Sequence, residues 1–259
     1  MRVTVCELPH QRDAFDDAWT SLCEHTSAHR PELVLLPEFA MADAVWESAR
    51  FDAAHWRSVE VRTDLKLLRL DELGAAYVVG TRPITVNGRR LNQAYLWSAA
   101  SGLSALRSKF YLPEEPGSWE ATWFDPGDPE FGVYRAGLVS FGVNICTELW
   151  ALETYASYAR RGVELVLSPR ATARATAAKW MAAGVVAAVR SGAFSLSSNR
   201  ADSGGAESAC GGRGWIIDPA GETLALTSPA EPFATRDVDL MQSARAKRTY
   251  PRYVFDQGG

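Results

Sequence analysis

Arg2 to Leu8, with apolar Val3, Val5, Cys6 and Leu8, reads as a buried strand at the start of the chain. Phe15, Trp19, Leu22 and Thr26 then recur at helical spacing and predict a helix from Gln11 to Arg30. Glu32 to Leu36 is a short continuous apolar run, the mark of a strand covered on both faces. A second helix is expected over Arg62 to Leu73. Strands are expected over Ala75 to Gly80 and Asn92 to Ser98, with Asn87-Gly88 as the hairpin turn between them, and over Leu103 to Lys109.

Leu112 to Phe131 is rich in Pro, Gly, Asp and Trp and predicts a long loop, ordered by Trp119, Trp123, Phe124 and Phe131. Beyond it the pattern predicts a strand (Gly137 to Ile145), a helix (Leu149 to Arg161), a strand (Val163 to Ser168) and a helix (Ala173 to Ser191). Strands over Ala193 to Ser198, Gly214 to Ile217 and Thr223 to Leu226 follow, the last two joined by the turn Asp218-Pro219-Ala220-Gly221. Alternating strands and helices with interleaved hairpins argue for a mixed-sheet, layered α/β protein. No linker or repeat divides the chain, so residues 1–259 are expected to form one domain.

Composition narrows the function. With 47% hydrophobic and 22% charged residues and a net charge of −4, the chain has a globular profile and no nucleic-acid footprint. Arg89-Arg90 and Arg245 to Arg248 are short runs expected to be solvated. No apolar stretch approaches the roughly 20 residues of a membrane helix. Met1 leads straight into a strand, not a signal peptide. Cys6, Cys23, Cys146 and Cys210 are widely spaced, which predicts reduced thiols in a cytoplasmic protein over disulfides or zinc.

P-loop, H-E-x-x-H, G-x-S-x-G and dinucleotide fingerprints are absent, and Gly211 to Gly214 is a plain loop before a strand. All four histidines (His10, His25, His29, His55) lie in the first quarter of the chain. His25 and His29 sit four apart with no third ligand in view, so an exposed helix face is expected, with no metal and no cofactor. A nucleophilic cysteine here needs a carboxylate as its base.

Three residues answer that description. Cys146 ends a strand where a helix should begin, a place expected to lower its pKa from the reference of about 8.5; its competing use is as a small buried hydrophobe. Glu38, in Leu35-Leu36-Pro37-Glu38-Phe39, ends a buried strand, where burial should raise its pKa toward that of a general base; a helix cap or solvated acid is the alternative. Lys109 follows a strand and, taken alone, is a surface lysine. All three fall at C-terminal strand ends, where α/β sheets place ligand sites. Together they supply a base, an oxyanion stabiliser and a nucleophile.

The blocks around them resemble the nitrilase superfamily of carbon–nitrogen hydrolases, whose catalytic set is Glu-Lys-Cys in that order. L-P-E-F, K-F-Y-L-P-E-E-P-G-S-W-E before F-D-P-G-D, V-N-I-C-T-E-L-W-A-L-E, S-S-N-R and G-W-I-I-D-P-A-G-E carry the similarity, from Val3 to about Asp239. The resemblance implies an α/β protein that forms the four-layer α-β-β-α sandwich. It implies that Glu38 takes the thiol proton, Cys146 attacks the carbonyl carbon, and Lys109 with the N–H of Thr147 holds the oxyanion. It also matches Glu120 to the family's second glutamate, which positions lysine and substrate.

Thr147 stands where an aromatic residue is common in the family, and Trp150 where many members carry arginine. Both border the pocket, so they bear on the substrate and leave the catalytic set intact. Arg170, in a stretch that lines the pocket in relatives, is expected either to pair with a substrate carboxylate in a forked contact or to be a plain surface arginine. Trp119, Trp123, Trp150 and Trp180 either wall the pocket or pack the core. The implied substrate is a small aliphatic amide or N-carbamoyl compound, with a nitrile next and a non-catalytic binding role as a further alternative. Relatives pair through a sheet-layer interface, so a homodimer or larger homo-oligomer is expected, without nucleic-acid or membrane partners.

Overall fold

Successive residues of the central strands face two different cores, and this period of two sets the architecture. The computed structural model describes residues 1–9, 11–202 and 209–255. The strands are β1 (Arg2–Leu8), β2 (Leu33–Leu35), β3 (Tyr77–Val86), β4 (Arg89–Ser98), β5 (Gly102–Ser108), β6 (Glu114–Glu115) and β7 (Ser118–Trp119). They continue with β8 (Tyr134–Ala136), β9 (Val139–Val143), β10 (Leu165–Arg170), β11 (Phe194–Arg200), β12 (Trp215–Ile217), β13 (Thr223–Leu226) and β14 (Phe233–Asp237). The helices are α1 (Arg12–His29), α2 (Ala53–Leu67), α3 (Glu120–Trp123), α4 (Glu153–Arg160), α5 (Ala177–Ser191), α6 (Leu240–Ala246) and α7 (Arg252–Phe255).

One half of the sheet runs β5-β4-β3-β2-β1 with β14 antiparallel beside β1. The other runs β8-β9-β10-β11, with β12 and β13 continuing beyond β11. The halves join where the last two residues of β1 pair with the end of β11, Glu7 with Asn199 and Leu8 with Arg200. Val3, Val5, Leu33, Leu35 and Val79 meet Phe141, Val143, Leu165, Leu167 and Leu196 in the core between the halves. The intervening residues Cys6, Leu8, Val34, Leu36 and Val78 pack outward on Phe15, Trp19 and Leu22 of α1. On the far side, Val166, Trp215 and Ile217 pack on α4 and α5. Each large side chain so buried contributes about 1.5–3 kcal/mol. The product is a helix–sheet–sheet–helix stack, as the family resemblance implies. Gly184 allows α5 to close on the second sheet, since a Cβ there would come within 2.6 Å of the Trp215 ring.

Several boundaries differ from the sequence reading. The helix expected from Arg62 begins at Ala53, because the Asp52 carboxylate caps it by accepting from the N–H groups of Ala54 and His55. Its far end is a separate 3-10 turn, Leu70–Leu73. The helix expected from Leu149 is a 3-10 turn (Cys146–Trp150) followed by α4, and the one expected from Ala173 opens as a 3-10 turn before α5. The Asn87-Gly88 turn is as predicted, with φ of 52° and 77°. Strand β14 was not anticipated, since it carries no apolar run and owes its place to pairing with β1.

Lys247 departs from the expected solvated run: its ammonium donates to the carbonyls of Val163 (2.6 Å) and Gly192 (2.9 Å) and to Ser243 Oγ (2.7 Å). His25 is half-buried, not exposed, with Nε2 at 2.8 Å from Thr235 Oγ1 and its ring stacked 4.0 Å from that of His29. His10 lies outside the described residues. Among the described residues no helix is long and apolar enough to cross a membrane.

Candidate active site

Pro37 stops β2, and the chain turns sharply at Glu38. Phe39 takes a left-handed φ of 52°, held by its N–H donating to Thr81 Oγ1 at 2.8 Å. The Glu38 N–H reaches across to the Arg170 carbonyl at the end of β10, 3.2 Å away. Lys109 follows β5, its own N–H held by the Asn92 carbonyl of β4 at 2.8 Å. Its Nζ lies 3.0 Å from Glu38 Oε1 and 2.8 and 2.7 Å from the two oxygens of Glu120, the first residue of α3. Asn92 Nδ2 donates to the same Glu38 oxygen at 2.8 Å and fixes its orientation. The sequence reading missed Asn92, whose only signal is a polar residue inside an apolar strand. All four side chains are buried.

Cys146 follows β9 and opens its 3-10 turn with φ 48°, a strained value for a residue with a side chain. A backbone hydrogen bond from Ala171 reaches the sulfur, so the end of β10 touches both Glu38 and Cys146. The thiol is not the acidic one expected from sequence. Burial first, and the Glu38 carboxylate second, push it well above the usual thiol range, against a weaker pull from Lys109. A 3-10 turn of five residues has too little dipole to overcome that burial.

Burial alone would lower the Lys109 ammonium, but Glu120 and Glu38 outweigh it and hold the charge on. Glu120 is pushed up to about 7, by burial first and with Lys109 opposing. Unfolded, this acid loses its proton near the ordinary glutamate value of 4.5, whereas folded it keeps it until about 7. The folded state binds the extra proton in that window, so stability falls as pH rises through it. Glu120→Gln is therefore expected to flatten the pH dependence of Tm between about 4.5 and 7; an unchanged slope would place its source elsewhere.

The sequence model of the family described as Carbon-nitrogen hydrolase matches residues 2–248. The chain belongs to the carbon–nitrogen hydrolase family. It is 26% identical over 176 residues to the N-carbamoylputrescine amidase of Solanum tuberosum, an alignment that takes in 61% of this chain and only 59% of that enzyme. The omega-amidase of Xenopus tropicalis is 24% identical over 186 residues, covering 70% of this chain and 67% of that one. In fold, the chain is similar to a carbon–nitrogen hydrolase from Helicobacter pylori (TM-score 0.85, 18% identity, covering 98% of this chain and 94% of that one). It is also similar to a variant amidase from a Nesterenkonia species whose active-site cysteine carries the acetamide moiety of fluoroacetamide (TM-score 0.75, 19% identity, covering 100% and 97%).

The remaining residues singled out from sequence lie in different settings within this member of the carbon–nitrogen hydrolase family. Thr147 is half-buried next to the sulfur, and Trp150 is 45% exposed with its ring 5.4 Å from that of Trp180. Trp123 is core, packed with Phe39, Trp46 and Phe124, and Trp119 leans on the same cluster.

Arg170 corrects one of the two expectations held for it. It is 1% exposed, so it is no surface arginine. Every guanidinium nitrogen already donates within the protein: Nε to Ser197 Oγ (2.6 Å), Nη1 to Thr172 Oγ1 (2.8 Å) and Nη2 to the Arg213 carbonyl (2.7 Å). These bonds hold the end of β10, whose backbone meets Glu38 and Cys146. Arg170→Ala is expected to cost about 2–4 kcal/mol of stability and to lower turnover of acidic and neutral amides alike. A rise in KM confined to acidic amides would return this residue to the substrate.

Proposed function

We propose that the protein hydrolyses a non-peptide C–N bond of a small amide or N-carbamoyl compound through a thioester on Cys146. The observation that carries this reading is the fully buried Lys109 ammonium, held 3.0 Å from Glu38 and 2.7 Å from Glu120 and within electrostatic reach of the sulfur. A thiol kept neutral by burial must lose its proton as it attacks, and Glu38 is the base beside it. Sγ then bonds to the carbonyl carbon, and the oxygen takes the negative charge opposite Lys109 and the N–H of Thr147. Collapse expels ammonia or an amine, which leaves with the proton taken from sulfur. A water that gives its proton to Glu38 attacks the thioester and frees Cys146. Glu120 steadies Lys109 throughout.

Three of the similar proteins named above are amidases, which favours amide or ureide over nitrile. Ammonia release measured across amides, ureides and nitriles, with intact-protein mass spectrometry during turnover, tests the proposal. An acyl adduct on Cys146 with amide or ureide turnover is expected; turnover of nitriles alone, or no adduct and no turnover, would overturn it.

Two finer readings accompany it. We infer that copies of the chain pair, because Trp150, Leu152 and Val186 expose apolar surface on and beside the α4–α5 layer (45, 47 and 43% exposed). A monomer mass by light scattering at micromolar concentration would refute this. We also place the protein in the cytoplasm, since all four cysteines are free and a nucleophilic thiol needs a reducing surround. Recovery from a secreted or periplasmic fraction would refute that.

A further inference from the structure

Glu148 lies two residues beyond Cys146 and is completely buried, yet no step above uses it. Its Oε1 accepts from the N–H of Phe110 at 2.7 Å, and its Oε2 accepts from the N–H of Ile145 at 2.9 Å. Phe110 is the residue after Lys109, and Ile145 is the residue before Cys146. One carboxylate thus grips the backbone next to the ammonium and next to the sulfur, on two segments far apart in sequence. Arg107, two residues before Lys109, forms a buried ion pair with the same group. Its guanidinium lies 4.1 Å over the Phe131 ring and donates to the Asp128 carbonyl at 3.3 Å. From the other side, Asn144 Nδ2 donates to the Glu148 carbonyl at 2.9 Å, closing the elbow around the strained Cys146.

We infer that Glu148 is a positioning residue that sets the spacing between the Lys109 ammonium and the Cys146 sulfur. The inference rests on the roles proposed for those two residues. A buried ion pair adds little net stability over apolar residues of the same volume, so stability alone is a weak reason for a charge here. What only a carboxylate supplies is two acceptor oxygens at a fixed separation, one for each segment. An amide of the same size keeps one acceptor and turns its NH2 toward a second donor. The tie is then broken on one side, and a misplacement near 1 Å can cost about 100-fold in rate.

The test uses Glu148→Gln and reads kcat, KM and the rate at which iodoacetamide alkylates Cys146, a probe independent of the natural substrate. The expected result is a fall in kcat of about 100-fold with KM changed by less than about threefold, and alkylation slower by about tenfold. Because this change strands the Arg107 charge, the double variant Arg107→Met/Glu148→Gln serves as its partner. It is expected to regain thermal stability while kcat and alkylation stay low.

Wild-type rates in either variant would overturn the inference, and so would failure of both to fold, since Glu148 would then be a structural support and nothing more. If the unaltered protein hydrolyses no amide, the functional proposal fails by itself, and the alkylation rates still decide the case of Glu148.

Discussion

Cys146→Ala is expected to abolish amide turnover, by on the order of 10⁴-fold or more, while leaving the fold intact. In the proposed mechanism the Cys146 sulfur forms the bond to the acyl carbon, and alanine has no atom that can do so. Structurally the change is small. Cys146 sits at the edge of the core between the sheets, 5% exposed, and deleting one buried atom costs about 1 kcal/mol. Alanine suffers no more than cysteine from a φ of 48°. Thermal melts and kcat measured together check this, with Cys6→Ala as the control: that thiol is buried on the outer face, against α1. Residual turnover above a hundredth of the unaltered rate would mean that another group carries the chemistry.

The second large effect is expected at Lys109. Lys109→Met leaves Glu38 and Glu120 buried side by side without their cation, a loss of about 3–5 kcal/mol for a broken buried pair. Turnover should fall by about 10³-fold, the scale of losing an oxyanion donor. The two effects can be separated by pH. Without the ammonium that opposes it, burial holds Glu120 protonated to higher pH in the folded state than in the unfolded one. The variant should therefore be most stable near pH 4 to 5, and Tm should drop as the pH rises toward 8. Adding Glu120→Gln should restore much of the stability and none of the turnover. Melts across pH with kcat at one pH check all three statements; a variant as active as the parent would remove Lys109 from the mechanism.

Legibility in the sequence tracked how local each signal was. Glu38, Lys109 and Cys146 stand at ends of apolar runs, and the folded chain brings Lys109 Nζ to 3.0 Å from Glu38. Glu120 was visible only through the family motif, because an acid in a Pro- and Gly-rich loop has no periodicity to mark it. Asn92 left only the faint sign of a polar residue in a strand, and the reach of Glu148 left none, since Glu38 and Phe110, which they bind, lie 54 and 38 residues away. The burial of Arg170 was hidden for the same reason: two of the acceptors that hold it, Ser197 and Arg213, are 27 and 43 residues downstream. The thiol was expected to be acidic because the sequence implied a helix, and a short 3-10 turn in a dry site reverses the sign.

The junction between the two sheets bears on synthesis. Residues 2–8 leave the ribosome well before their neighbours on one edge, which come from 199–200 and 233–237. Until most of the polypeptide has emerged, β1 presents an unpaired, aggregation-prone border that waits for its last partners. Nascent chains stalled before residue 233 should therefore lean on chaperones far more than chains released after 237.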